Sequence, residues 1–274
     1  MIFKSVINVQ NYVMLDQLVQ KYAQATPFPH IVIDNFFTED VANYLSQNFP
    51  SMDQMPNIFK EPMSYKGQLS NIDGSWPKFS NIFLALQSTD FMALLTGLTG
   101  IQHLISDPIL AGGGLHQSPK SGFLDIHVDA NFHPLRKELH RRVNIIIYVN
   151  KGWQPEWGGD LELWNDNGNK PGELGAKVEP KFNRAVIFNT TRTSWHGVQS
   201  VNCPEGQSRK SLALYYYTKT RPVGEQYVDS SVIWMSKSNP LKKALYPILN
   251  FSIKLLKPYA KYIRRNVFDA SKKD

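Results

Sequence analysis

From about residue 104 to 220 the chain breaks into seven short runs rich in β-branched, aliphatic and aromatic residues: HLISDPILAGG, FLDIHVDANF, RVNIIIYVN, DLELWN, RAVIFNTT, WHGVQSV and RKSLALYYYTK. Runs this short, this regularly spaced and divided by turn residues are the strands of a β-sandwich or barrel. The stretches EWGGD (156–160) and NDNGNKPGELG (165–175) supply Gly and Asn where such a chain reverses. No internal repeat is present, and the predicted class is mainly β with flanking helices.

The flanks read differently. Residues 8–24 and 38–48 carry helical apolar spacing, with Thr38 before Glu39 and Asp40 as a helix start, and HIVIDNFF (30–37) begins as a short strand. Residues 51–79 show no clear period, and 80–97 is again helical, ending at Gly97. The expected organisation is a mostly helical scaffold over 1–100, a β core over 101–225, and a basic tail over 226–274. In that tail Leu241, Leu245, Leu249, Leu256 and Ile263 sit among lysines and arginines, with Pro247 and Pro258 interrupting. It reads as two or three short amphipathic helices.

Charge sharpens the division. The chain carries a net +7, and residues 237–274 alone contain ten Lys/Arg against two Asp, so the body is nearly neutral. The basic pI therefore describes the tail and is no evidence that the folded body binds nucleic acid; the tail reads first as a solvated helical appendage packing its leucines on the body, and otherwise as a contact for a membrane surface or acidic partner, with no nucleic acid expected. The longest apolar run there, 244–253, is about half of the ~20 residues a spanning helix needs. Cys203 is the single cysteine, which excludes an intrachain disulfide and a cysteine-based zinc cluster and fits a reducing, cytoplasmic setting. The opening residues MIFKSVINVQNY lack the charged start, continuous apolar stretch and small-residue cleavage site of a secretory signal, so export is not expected.

The chemistry is concentrated in three places. In FLDIHVDANF, His127 and Asp129 are two residues apart, so on a strand they leave the same face while Val128 leaves the other. His196, in TRTSWHGV, is the candidate for a third ligand. Two imidazoles and one carboxylate form the facial triad of non-haem Fe(II) oxygenases, which leaves coordination positions free for small molecules, whereas a structural zinc site closes its shell with a fourth protein ligand. In SRKSLALYYYTK, Arg209 can make a two-pronged bond to a carboxylate, with Ser211 on the same strand face adding a hydrogen bond.

The run from FLDIHVDANFHP through EWGGDLELW and TRTSWHGV to SRKSLALYYYTK resembles the prolyl 4-hydroxylase-like branch of the 2-oxoglutarate/Fe(II) dioxygenases, over roughly residues 100 to 220. The resemblance implies a double-stranded β-helix core (jelly-roll, cupin-like) with helices outside its larger sheet and iron at one mouth of the barrel. It implies Fe(II) on His127, Asp129 and His196, and the distal carboxylate of 2-oxoglutarate on Arg209. Collagen-type enzymes of animals place a lysine there, which makes the adjacent Lys210 a rival. Alternation puts Lys210 with Leu212 and Leu214 but Arg209 with Ser211 and Ala213, favouring Arg209. Tyr148 resembles a residue lining the cosubstrate pocket. The implied reaction is hydroxylation of an unactivated C–H bond, of a prolyl residue or a related peptide, amino-acid or glycan-precursor substrate. It uses dioxygen, with ascorbate as reductant, and releases succinate and carbon dioxide. The competing reading is a cupin-like metal and 2-oxo-acid sensor without turnover, against which the intact Arg209 and Ser211 speak. His116 is expected near the barrel opening, and His133 as a solvated loop histidine.

Overall fold

The computed structural model describes residues 2–12, 15–225, 232–235 and 241. The helices expected in the basic tail lie outside the described residues, apart from Leu241. Helices α1 (Ile2–Val6), α2 (Leu15–Gln24), α3 (Glu39–Asn48), α4 (Pro77–Leu86) and α5 (Thr89–Thr99) precede most of the β structure. Strands β1 (His30–Ile33), β2 (Asn57–Glu61) and β3 (Ser64–Leu69) are interleaved with them. β4 (Gly114–Pro119), β5 (Phe123–Val128), β6 (His140–Tyr148), β7 (Leu161–Asp166), β8 (Pro171–Val178), β9 (Arg184–Asn189), β10 (Trp195–Val198), β11 (Ser208–Thr218) and β12 (Ile233–Trp234) follow. All pair antiparallel in the order β1-β9-β6-β11-β4-β3-β5-β10-β7-β8, with β2 on β3 and β12 on β5. The sheet curls into a nearly closed jelly roll, a double-stranded β-helix.

Strand alternation decides which side chains meet the helices. From β6, Val143, Ile145 and Ile147 join Ala185 and Ile187 of β9 and Leu212, Leu214 and Tyr216 of β11 in one large core. Phe79, Ile82, Phe83 and Leu86 of α4 and Phe91, Leu95 and Leu98 of α5 close it from outside, each set at helical spacing. The opposite faces of the same strands point into the barrel, where Tyr148, Val186 and Phe188 form a smaller cluster with Leu161 and Leu163. Ile145 is fully buried and faces Leu214 and Ile187 on its two neighbours. Ile145→Ala is expected to lower the unfolding free energy by about 2–5 kcal/mol, read from the midpoint of urea denaturation.

Four expectations need correction. The single helix over 80–97 is two helices meeting at 44°, because Ser88 leaves the helical path and its hydroxyl accepts the Phe91 N–H at 3.2 Å, starting α5 afresh. Gly97 lies inside α5, and the left-handed cap is Gly100 at φ 72°. The run HLISDPILAGG is a loop, since Asp107 accepts from the backbone of Ile109 and Ala111, and Leu110 and Gly112 take positive φ. Part of the stretch expected to be turn, from Pro171 onward, is strand β8 paired with β7.

The first hundred residues also lend strands to the barrel. β1 pairs with β9, and β3 is inserted between β4 and β5, completing the barrel wall. β2 is exposed on both faces, so it carries no alternation that a sequence could betray. At the other end, β12 lies within the span assigned to the tail and pairs Trp234 with His127.

Candidate metal centre and cosubstrate pocket

β5 and β10 are neighbours in a register that sets His196 directly opposite His127. Ile126 and Val128 point away into an apolar cluster with Trp195, which leaves His127 and Asp129 on the barrel side, as the two-residue spacing requires. All three side chains are buried, and one ligand atom from each lies within 4.8 Å of the others. Nε2 of His127 is 3.9 Å from Asp129 Oδ1, and Nε2 of His196 is 3.8 Å from Oδ2.

The imidazoles are oriented by their own backbones. Nδ1 of His127 is 2.9 Å from the Asp125 carbonyl, and Nδ1 of His196 is 2.9 Å from the Ser194 carbonyl. A carbonyl only accepts, so each Nδ1 carries the proton and each Nε2 presents its lone pair to the shared centre. Burial, reinforced by the neighbouring His196, drives the His127 pKa down to about 3, so the ring is neutral and able to coordinate. Phe188 braces the His196 ring at a centroid distance of 5.0 Å, and Trp234 lies 4.7 Å from that of His127.

Asp129 is held by two side chains from β6. Arg141 Nη1 stands 3.3 Å from Oδ1, and Asn144 Nδ2 donates to Oδ2 at 3.2 Å. Burial alone would raise this carboxyl, but Arg141 first, then the two histidines and Asn144, outweigh it, leaving the pKa below the usual value and the group ionised. The guanidinium in turn lies 3.8 Å over the Tyr215 ring. Strict alternation from Asn144 would turn Arg141 outward. A bulge between the pairs Tyr216–Val143 and Tyr217–Arg141 shifts the phase and brings it in, which is why the sequence concealed it. Arg141→Leu is expected to weaken Mn(II) binding about 10–100-fold, because Asp129 loses both its orientation and the charge that keeps it deprotonated. Equilibrium dialysis reads this directly, and tighter binding would show that the cation repels the metal more than it holds the ligand.

Arg209 enters the same cavity from β11, buried at 4 % exposure. Its Nε donates to the Gly159 carbonyl at 2.7 Å and its Nη2 to the Tyr148 hydroxyl at 3.1 Å, while the guanidinium lies 4.8 Å from the Tyr148 ring centroid. Those bonds fix the fork and leave Nη1 free to meet a carboxylate. The Gly-Gly turn has a role here: Gly159 takes φ 77°, and a Cβ there would come within 3.1 Å of Arg209 Cδ. Ser211 lines the cavity beside it. Lys210 points the other way, with its ammonium 5.8 Å from the Phe49 ring of the helix-covered core.

His116 lines the cavity, as its position suggested, with Nε2 buried and unpartnered. His133 is no solvated loop residue: it is fully buried, Nε2 sits 3.2 Å from Asp107 Oδ2, and Nδ1 accepts from the Leu135 and Arg136 amides. It pins a loop and does not reach the metal centre. Lys66 of β3 also lines the cavity, and nothing in the irregular stretch 51–79 announced it.

The pattern of the 2OG-Fe(II) oxygenase superfamily matches residues 113–217, spanning both histidines, the aspartate and Arg209. The barrel is a 2OG-Fe(II) oxygenase domain. Among curated proteins, the chain is 28% identical over 207 residues to the prolyl 3-hydroxylase OGFOD1 of Mus musculus, covering 72% of this chain and 34% of that protein. It is 30% identical over 78 residues to the Xenopus laevis protein of the same name, covering 28% of this chain and 15% of that one. The chain thus spans about a third or less of the length of these relatives. Among solved structures, a Trichoplax adhaerens prolyl hydroxylase superposes with a TM-score of 0.54 at 15% identity, covering 77% of this chain and 91% of that one. A Phytophthora capsici prolyl 4-hydroxylase gives 0.51 at 19% identity, covering 98% and 84%. At such identities these establish the oxygenase fold alone.

The donor set of this oxygenase domain fits the group its family carries. Two neutral imidazole nitrogens and one ionised carboxylate face one point, no fourth protein ligand joins them among the described residues, and Asn144 Oδ1 and His116 Nε2 remain unpartnered toward the cavity.

Proposed function

We propose that the chain is an Fe(II)- and 2-oxoglutarate-dependent hydroxylase acting on an unactivated C–H bond, with a prolyl residue or a related peptide, amino-acid or glycan-precursor group as substrate. The overall change would place one atom of dioxygen in the C–H bond and the other in succinate as 2-oxoglutarate loses carbon dioxide; 2-oxoglutarate supplies the two electrons, and ascorbate would serve only to keep the metal ferrous. The observation that carries this reading is that one cavity joins an open three-ligand centre to a buried, pre-aimed arginine. Support for a prolyl substrate comes from the similarity to the prolyl 3-hydroxylase OGFOD1.

When bound, Fe(II) and 2-oxoglutarate supply the oxidising chemistry. His127, Asp129 and His196 would hold the metal on one side only, and their hydrogen bonds to Asp125, Ser194, Arg141 and Asn144 keep that geometry before any ligand arrives. Arg209, Ser211 and Tyr148 would hold the distal carboxylate, and the apolar Ile146, Leu161 and Val198 narrow the cavity against water. The test is a succinate assay with and without added Fe(II) and 2-oxoglutarate, run over proline-containing peptides, free amino acids and cell extract, with mass spectrometry for a gain of one oxygen. Succinate release requiring both additions supports the proposal; none under any condition, with the protein folded and metal-loaded, overturns it.

A further inference from the structure

The end of β5 that carries His127 is bordered by a different strand on each edge. β10 runs along one of them and sets His196 opposite His127. On the other edge β3 pairs with β5 only at Leu124 and Phe123, and beyond its reach β12 takes over, with Ile233 facing Val128 and Trp234 facing His127. The Met235 amide donates to the Ile126 carbonyl at 2.7 Å. Antiparallel pairs alternate between hydrogen-bonded and non-hydrogen-bonded, so the next pair along, Trp234 and His127, is of the non-bonded kind whose side chains stand closest. Alternation also divides the side chains of this segment. Ile233 and Met235 join Ile126, Val128 and Trp195 outside the barrel, which leaves Trp234 on the metal side. The indole lies 4.7 Å from the His127 ring at an interplanar angle of 31°, and the His196 ring lies 4.2 Å from it at 49°. His127 is thus flanked by one ring from each neighbouring strand.

The hydrogen bond from His127 Nδ1 to the Asp125 carbonyl sets the direction of Nε2, but one bond does not fix the tilt of the ring about it. Contacts on the two flanks do that, and His196 supplies only one of them. We infer that Trp234 is a positioning residue for the metal centre: it fills the flank of His127 that β10 leaves open, so that docking of residues 233–235 on β5 and binding of the metal strengthen each other. Coupling of this kind is reciprocal, since whatever the docked segment adds to metal affinity the metal returns to the docking. β12 is two residues long, too short for its backbone bonds alone to keep it in place, so its hold on β5 depends on the side chains of Ile233, Trp234 and Met235. Trp234 also lies outside residues 113–217, so the matched oxygenase pattern does not contain it. The inference rests on the metal centre of the function proposed above and not on the reaction.

Two measurements on the full chain test this without substrate or cosubstrate. Mn(II) affinity from equilibrium dialysis is expected to fall about tenfold in Trp234→Ala, as for other residues that orient a metal ligand, and to recover most of the way in Trp234→Phe, which restores a flat ring. Hydrogen exchange read by mass spectrometry is expected to slow about fivefold or more on adding Mn(II) in the peptide holding Ile233 and Met235 of the unaltered chain, and to slow less in the Ala variant. The amides of β1, at the far end of the strand order, report any general stabilisation. Unchanged Mn(II) affinity in a folded Ala variant overturns the inference, and so does a Phe variant as weak as the Ala one. Metal binding that protects residues 233–235 no more than β1 overturns it too, and that measurement on the unaltered chain decides alone if the Ala variant does not fold. Coupling without succinate release would leave this inference standing while the proposed function falls; an unaltered chain that binds no Mn(II) would overturn both.

Discussion

Alanine at Asp129 is expected to reduce 2-oxoglutarate turnover by more than about 100-fold, beyond what disturbing a ligand's supporting residue costs. The carboxylate is the only anionic donor in the three-ligand group, so without it two neutral imidazoles must hold a divalent cation alone. A second effect accompanies the first. Arg141 is packed at 5 % exposure with Asp129 as its anionic partner, and removing that partner strands a buried charge at a cost of about 3–5 kcal/mol. The two effects separate in a double variant: Asp129→Ala with Arg141→Leu is expected to regain much of the lost thermal stability and none of the activity. Undiminished succinate release by the single variant would remove the carboxylate from the mechanism.

Arg209→Met is expected to raise the KM for 2-oxoglutarate about a hundredfold or more, corresponding to about 3 kcal/mol from two charge-assisted hydrogen bonds, with a smaller fall in kcat. Lys210→Met is the matching control and is expected to leave KM within about twofold, because its side chain packs beside Phe49 outside the barrel. Steady-state succinate kinetics on the pair decides between them, and the reverse result would make Lys210 the anchor. Selectivity offers a further reading: the preference for 2-oxoglutarate over 2-oxopentanoate should collapse in the Arg209 variant, since the methyl terminus gives the arginine nothing to hold.

What could be read from the chain was whatever depends on neighbours in sequence. Alternation along SRKSLALYYYTK separated Arg209, Ser211 and Ala213 from Lys210, Leu212 and Leu214, and the structure puts those sets on opposite faces. The two-residue spacing likewise brought His127 and Asp129 to one side. Where the reading failed, something non-local or irregular had intervened. A bulge reversed the phase at Arg141, a serine hydroxyl split one apolar helical stretch into α4 and α5, and an aspartate folded an apolar run into a loop. Lys66 escaped for a different reason: in β2 only Phe59 is half-buried, so the hairpin carrying Lys66 shows neither of the periodicities that mark buried elements.

The insertion of β3 has a practical corollary for anyone trimming this molecule. Residues 113–217, which carry the recognisable oxygenase pattern, do not contain that strand, and cutting to them would leave the facing borders of β4 and β5 with unsatisfied amides and carbonyls. Such a fragment should gel or precipitate in place of giving a smaller working enzyme, and supplying the hairpin 57–69 as a separate peptide would be the natural remedy to try.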